Sequence, residues 1–369
     1  MMQDHLLHQV AFTLIPGLGP VSRKKLIRYF GTASRILHAS EEELRSMPGI
    51  GQALVKQILL HKTDRIADQL AEQTVRFVTQ QGIQPLFITD PAYPQKLLHC
   101  PDAPTLLFWK GTADLNATAV LSIIGTRSNS HYGQQVTENL VASLPKQVLV
   151  VSGLAYGIDA IAHKAALQNG LHTVGVLAHG LDDLYPPAHR NLAKNMLDQG
   201  GLLTEFHLHT KADKYNFPRR NRVVAGMADA TVVVETAAKG GSMITADLAF
   251  GYNRELFAVP GRLNDAKSAG CLQLIQQQKA LLYTGPEQLL ETMGWELPRP
   301  ALPVADVAAA NLSSAEQALI RLLQEKDGCS TDELLWLLPV DSGSLANMLL
   351  NLEIQNIIRT LPGKRICLL

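Results

Sequence analysis

Residues 119–133, AVLSIIGTRSNSHYG, decide the fold class. An apolar run rich in branched side chains ends at Gly125, passes through hydroxyls and one arginine, and leads into a helical stretch. The same grammar recurs at QVLVVSG (147–153), HTVGVLA (172–178), GGLLTE (200–205), ATVVVET (230–236) and ELFAVPG (255–261). Strands apolar on both faces need cover on both faces, and turns leading to helices between them supply it. The pattern predicts an α/β domain over residues 73–295 built on a doubly wound parallel sheet. Its opening part, 73–118, has prolines at 85, 91, 94, 101 and 104 and reads as a packed connector.

Residues 1–72 read as short amphipathic helices. LIPGLGPVSRKKLIRYFG (14–31) and SMPGIGQALVKQIL (46–59) repeat one pattern, Pro-Gly, an apolar residue, Gly, then a helix. On the far side, ELPRPALPVADVAAA (296–310) has three prolines and reads as a linker. The last segment, 311–369, opens on a capping signature, Ser313 followed three residues later by Glu316. Three helical stretches and a hairpin-like tail, TLPGKRICLL, then suggest a winged-helix module.

Composition narrows the setting. With 369 residues, 46% of them hydrophobic, the chain can bury two or three domain cores, so a disulfide-stapled miniprotein or a disordered chain is excluded. The four cysteines are far apart, without a C-x-x-C pair, which removes zinc and dithiol readings. No signal peptide is expected from the first residues, and no apolar run approaches the ~18–20 residues of a membrane span. A cytoplasmic protein with reduced thiols is the expectation. Net charge is zero, but it is unevenly spread: 10 basic against 7 acidic side chains in 1–76, 14 against 12 in 110–262, and 5 against 8 in 301–369.

The two Pro-Gly-x-Gly turns are helix–hairpin–helix candidates. A tight glycine turn directly before a helix can aim backbone N–H groups at a phosphate, with Gly17, Gly19, Arg23 and Lys24 as the possible contacts. Such a turn also joins packed helices with no ligand at all, and the second copy is followed by fewer charges.

Ligands of open α/β sheets bind beyond the carboxyl ends of the strands. The loops there are GTRSNSHYG (125–133), SGLAYGID (152–159), HGLDDLYP (179–186), KYNFPRRNR (214–222) and KGGSMITA (239–246). Gly125, Thr126, Arg127 and Gly153 offer a turn, a hydroxyl and a guanidinium; Gly240, Gly241, Ser242 and Thr245 form a small-residue turn into a helix. Neither G-x-G-x-x-G with its acidic partner nor GxxxxGK[ST] is present, so NAD and Walker-type nucleotide sites are not expected. KYNFPRRNR interleaves Lys214, Arg219, Arg220 and Arg222 with Tyr215, Phe217 and Asn221. Cations to track phosphates and rings to stack on bases are the ingredients of a single-strand site. Asp159 with His163, and His179 with Asp182, could serve hydrolysis. A hydrogen bond from helix to loop explains them better, since no nucleophile accompanies them. His207 and His209 alternate as on a strand and are weak evidence for a metal.

In order and spacing, GTRSNSHYG, SGLAYGIDAIAH, HGLDDLYP, FPRRNRVVAGMADATVVVETAAKGGSMITADLA and FAVPGR resemble the DprA/Smf family of DNA-processing proteins, densely over 93–283. The resemblance implies an extended Rossmann-like domain flanked by a SAM-like helical domain and a winged-helix domain. It implies a homodimer that binds single-stranded DNA, protects incoming strands and loads the RecA recombinase in natural transformation, with single-strand-binding protein as a further partner. It implies no catalytic residues, no metal and no cofactor. The family's DNA-contacting positions fall on Arg127, Lys214, Phe217, the run Arg220–Asn221–Arg222, and Gly240, Gly241, Ser242 and Thr245. Departures are Thr126 for the usual serine, Pro187 where many members have a basic residue that Arg190 could replace, and Cys271–Leu272 for Thr-Asn. The alternative is a nucleotide-cleaving phosphoribohydrolase of related fold. Such enzymes resemble PGGxGTxxE, whereas KGGSMITAD lacks the second Gly-Thr and has Asp247 in place of the glutamate.

Overall fold

The computed structural model describes residues 2–295, 312–325, 329–355, 357–361 and 365–368. The expected linker at 296–310 lies outside the described residues. The chain forms two compact units, Met1–Leu289 and Leu290–Leu369.

In the first unit, helices α1 (Met2–Leu14), α2 (Pro20–Phe30), α3 (Ala33–His38), α4 (Glu41–Ser46), α5 (Gln52–His61) and α6 (Arg65–Gln80) come before the sheet. The two repeated turns adopt one backbone. Gly17 and Gly49 take φ of 69° and 78°, a left-handed region that only glycine enters freely. Gly19 and Gly51 then cap α2 and α5 in the extended region. The apolar faces of these helices do not make a core of their own. Phe12, Ile15, Leu26, Ile36 and Ile58 belong to one buried cluster with Leu107, Val120 and Val151 of the sheet. Helix α6 runs through residue 72, so the helical region continues into the α/β region without a break.

The sheet has nine strands in the order β1-β2-β6-β5-β4-β3-β7-β8-β9. All six runs expected as parallel strands are present: β3 (Ala119–Ile124), β4 (Val148–Ser152), β5 (Thr173–Val176), β6 (Gly200–Thr204), β7 (Ala230–Val233) and β8 (Glu255–Ala258). They pair in parallel, and β3 through β7 are wholly buried, as their unbroken apolar character requires. The 73–118 segment is more than a connector. It contributes β1 (Gln84–Phe87) and β2 (Leu106–Gly111), which pair with each other and add to β6 in antiparallel fashion. Pro85 lies in the edge strand β1, where a missing N–H is tolerated. A two-residue strand, β9 (Leu281–Leu282), closes the other edge.

The chain winds from β3 outward through β4, β5 and β6, then returns across the sheet to β7 beside β3. Helices α7 (Gln95–Leu98), α8 (His131–Ala142), α9 (Ile158–Gln168) and α10 (Arg190–Asp198) precede the return, which passes through helix α11 (Asn216–Met227), and α12 (Gly241–Gly251) follows β7. The reversal of winding leaves a crevice beyond the ends of β3, β4 and β7.

In the second unit, Ser313 and Glu316 form the expected reciprocal cap on the helix Ser314–Glu325. The helices Thr331–Leu337 and Ser342–Ile354 follow. Strands β10 (Cys329–Ser330), β11 (Ile358–Leu361) and β12 (Arg365–Leu368) make a small antiparallel sheet, ordered β10-β12-β11. The core is separate, with Leu319, Leu334, Leu345, Leu352 and Ile358 at its centre. Three helices and an antiparallel hairpin match the winged-helix reading.

Candidate functional site

A cleft of about 590 Å³ opens at the switch point, lined by the loops after β3, β4 and β7 and by the first turns of α11. Each wall has an identifiable cause. After β3, Gly125 packs so closely that a Cβ there would sit 2.5 Å from the Ile158 side chain. The Thr126 N–H donates to the Glu235 carbonyl at 2.7 Å, and the Thr126 hydroxyl accepts the Ser128 N–H. The buried Glu235 carboxylate accepts the N–H of Ser130 at 2.8 Å and the Ser130 hydroxyl. These bonds fix the loop and leave the Arg127 side chain exposed, its guanidinium 4.9 Å from the centre of the Phe217 ring.

After β4, Arg220 is buried and donates to the carbonyls of Gly153 and Val176. Gly153 has no room for a side chain, because a Cβ would meet the Arg220 guanidinium at 2.5 Å. The buried Asp159 accepts the N–H groups of Gly153 and Ala155 at 3.2 and 3.3 Å. Burial pushes its carboxyl pKa up while neighbouring Arg220 pulls it back, and burial lowers that of Arg220 to about 10, well above neutrality. Asp159 therefore holds a loop in place. His163 likewise meets the Thr173 hydroxyl at 2.7 Å inside the core, and burial pushes it down to about 3. Asp159 is thus bonded to the loop after β4, and His163 to strand β5.

After β6, the Asp213 carboxylate accepts the N–H groups of Tyr215 and Asn216 and starts α11. Pro218 falls in the first turn, where no intrahelical N–H is needed. Beyond β7, Gly240 caps α12 with no side-chain bond to the first N–H groups, and Gly241 has open space around its Cα. A glycine-capped helix start facing a cleft favours an anion there.

The cleft brings together Gly125, Thr126, Arg127, Gly153, Lys214, Phe217, Arg220, Asn221, Gly240, Gly241, Ser242 and Thr245. It does not include Arg219 or Arg222. Both line a second groove on the other side of α11, where buried Arg222 pairs with Glu205 and Arg219 lies 3.8 Å from the same carboxylate. The four cations of KYNFPRRNR thus do not line one cleft. Lys214 is exposed, Arg220 clamps backbone carbonyls, and the other two face away, because successive helical residues rotate by ~100°.

The hairpin cations make bonds within the protein. Arg23 donates to the Thr13 carbonyl at 2.5 Å, and Lys24 to those of Leu98 and Cys100, so both tie α2 to its neighbours. Gly17 and Gly19 remain exposed. Arg190 opens helix α10 (Arg190–Asp198), away from the cleft lining. Cys271 is wholly buried with its sulfur near the carbonyls of Val233 and Val234, so it fills core beneath β7. His207 meets Thr13 and His209 meets Asp182, and no group of metal-ligating side chains occurs among the described residues. Asp247 pairs with Lys279 at 2.7 Å, outside the cleft lining.

The sequence reading missed two rings. Tyr156 and Tyr185, each 43% exposed, line a smaller pocket with Arg127 and Phe217, and Tyr185 stands 6.0 Å from Phe217. Both were visible in SGLAYGID and HGLDDLYP as lone aromatics among small and acidic residues.

A family model described as DNA recombination-mediator protein A matches residues 84–294. Models of a SAM-like helix-hairpin-helix tandem and of the DprA winged helix domain match 11–61 and 303–364. Protein Smf of Synechocystis sp. is 31% identical over 313 residues, spanning 83% of this chain and 75% of that protein. DNA processing protein DprA of Streptococcus pneumoniae is 39% identical over 204 residues, 55% of this chain and 72% of that one. An X-ray structure of the Streptococcus pneumoniae protein covers 79% of this chain and 98% of its own, with 30% identity and a TM-score of 0.68. A structure of DNA processing protein A from Helicobacter pylori, reported for its single-stranded DNA binding mode, covers 57% of this chain and 95% of its own, with 29% identity and a TM-score of 0.52.

Proposed function

The chain belongs to the DNA recombination-mediator protein A family, and from that premise we propose that its strand-end cleft holds single-stranded DNA. The observation that carries this is the exposed Arg127 guanidinium over the Phe217 ring, in one cleft with the glycine-capped start of α12. A cation, an aromatic face and free helix N–H groups are what a flexible strand needs, one for phosphate, one for a base, one for the next phosphate. In this reading phosphates rest at Gly125–Arg127 and Gly240–Ser242, Lys214 tracks the backbone, and bases stack on Phe217. Tyr185 and Tyr156 extend the stacking surface. Arg220, Asn221, Gly153 and Thr245 shape the cleft around them.

The role is binding, with no chemical step. Asp159, the carboxylate that lines the cleft, is held by two backbone N–H groups, with the Arg220 charge nearby. At the level of the cell the protein acts in the cytoplasm as a homodimeric mediator. It protects incoming single strands and loads RecA onto strands coated with single-strand-binding protein during natural transformation.

The double variant Arg127→Ala, Lys214→Ala should abolish single-strand binding while melting as the native protein does. An unchanged electrophoretic shift in that variant would sink the site assignment. Binding should also weaken with salt, with a log–log slope of about −0.7 per neutralised phosphate. A RecA-loading assay on precoated strands tests the mediator role, and loading that proceeds equally without the protein would end that reading.

A further inference from the structure

The second groove, of about 600 Å³, lies between the first hairpin turn and the far side of α11. Its floor is unusual in charge. Arg23, Arg219 and Arg222 converge on it with one carboxylate, Glu205, so two positive charges stay uncompensated. Arg222 is more than nine-tenths buried, yet its Nη1 has no hydrogen-bond partner, and the Arg23 Nε is likewise unpaired. Three guanidinium groups lining one groove beside a single carboxylate carry a net positive charge that favours an oxyanion there. The Phe206 ring lies 4.9 Å beneath Arg219 and holds it over the groove. Gly17, Gly19 and Pro20 form the opposite rim, where the 11-residue helix α2 begins with no capping side chain.

We propose that this groove is a second phosphate-binding site, distinct from the strand-end cleft, that takes the phosphate of a nucleotide unit. Arg222 and Arg23 grip the phosphate from below, Arg219 closes over it, and the start of α2 faces it across the groove. Helix α11 is the common wall of both cavities, with Phe217 and Asn221 on one side and Arg219 and Arg222 on the other. A strand leaving the cleft over the first turn of α11 therefore arrives at the groove. That route rests on the single-strand reading, whereas the phosphate site itself does not.

The test uses the full chain and Arg219→Gln, a change at a half-exposed side chain, with Arg219→Lys as the charge-conserving control. Melting temperature is followed with rising inorganic phosphate against chloride at equal ionic strength. Affinity is measured for a short oligonucleotide that fills only the cleft and for a longer one. We expect phosphate to raise the melting temperature of the native protein more than chloride does, and Arg219→Gln to lose part of that rise. The longer oligonucleotide should bind Arg219→Gln severalfold more weakly, with a salt slope shallower by about 0.7, while the short one binds as before. Arg219→Lys should recover part of each loss. A phosphate response lost in Arg219→Gln with both oligonucleotides unaffected supports the site and assigns it to a free nucleotide or phosphate. A weakened longer oligonucleotide alone supports it and assigns it to the strand. If Arg219→Gln changes neither readout, the proposal is wrong. Failure of the cleft would appear instead in the short oligonucleotide, so the two readings fail separately.

Discussion

Arg127 and Arg220 line the same cleft and differ in what they hold. Arg127 stands in solvent over Phe217 and is free to meet a ligand, whereas Arg220 is buried against Asp159 and two carbonyls. Removing Arg220 leaves the carbonyls of Gly153 and Val176 without that donor and takes the positive charge from the neighbourhood of Asp159, a loss of about 1–3 kcal/mol per unsatisfied buried group. Arg220→Ala should therefore lower the denaturation midpoint sharply, and a midpoint equal to that of Arg127→Ala would refute the division of roles. His163 gives a pH-dependent counterpart. Burial depresses its pKa from 6.5 to about 3 in the folded state. Between those values the unfolded chain takes up a proton that the folded one refuses. Stability is full above about pH 6.5 and falls as the pH drops towards 3. His207, pushed down to about 4 by burial, adds to the same slope. The variant His163→Asn keeps a group that can meet the Thr173 hydroxyl but does not titrate. Its unfolding free energy, measured by denaturant at several pH values, should decline less steeply with acid than that of the native chain.

Elements were legible in proportion to how much of their pattern is local. The six parallel strands announce themselves because burial on both faces demands unbroken apolar runs, and each ends in a glycine or polar turn. Strands β1 and β2 do not, since their identity depends on pairing with each other and with β6, and prolines obscure them. Helix α11 shows the opposite failure. Its composition promises one cationic surface, but winding sends Phe217 and Asn221 into the cleft and Arg219 and Arg222 into the second groove. A linear cluster of charge on a helix is divided among faces, and only the helical phase tells which charge goes where. The repeated hairpins were legible to the residue, because each needs one left-handed glycine. At Gly49 the space around a Cβ is open, so Gly49→Ala is resisted by φ alone. It should destabilise the chain by about 1–2 kcal/mol, the ordinary cost of a left-handed non-glycine residue. A melting temperature equal to the native one would mean that the turn relaxes to another conformation.

For the whole molecule, the distribution of charge and core decides which parts must stay together. The N-terminal helices share a buried cluster with the sheet, and Lys24 ties α2 to the carbonyls of Leu98 and Cys100 within that unit. The unit from Leu290 onward has its own core, and residues 301–369 hold 8 acidic against 5 basic side chains. A winged helix invites a DNA-binding reading, but like charge repels a phosphate backbone and weakens any grip there. Trp336 is 92% exposed on the helix Thr331–Leu337, a ring that suits contact with another protein. Both proposed phosphate sites lie in the first unit, so their affinity should not need the second. A chain ending at residue 295 should bind single strands within about twofold of the full chain, and its salt slope should be unchanged, since no phosphate contact is lost. Anisotropy titrations of the two proteins over a range of salt decide the matter. A slope that falls by about 0.7 or more on truncation would place a phosphate contact in the C-terminal unit, against its charge. An affinity that rises would show instead that the acidic segment competes with the strand for the cationic groups of the cleft.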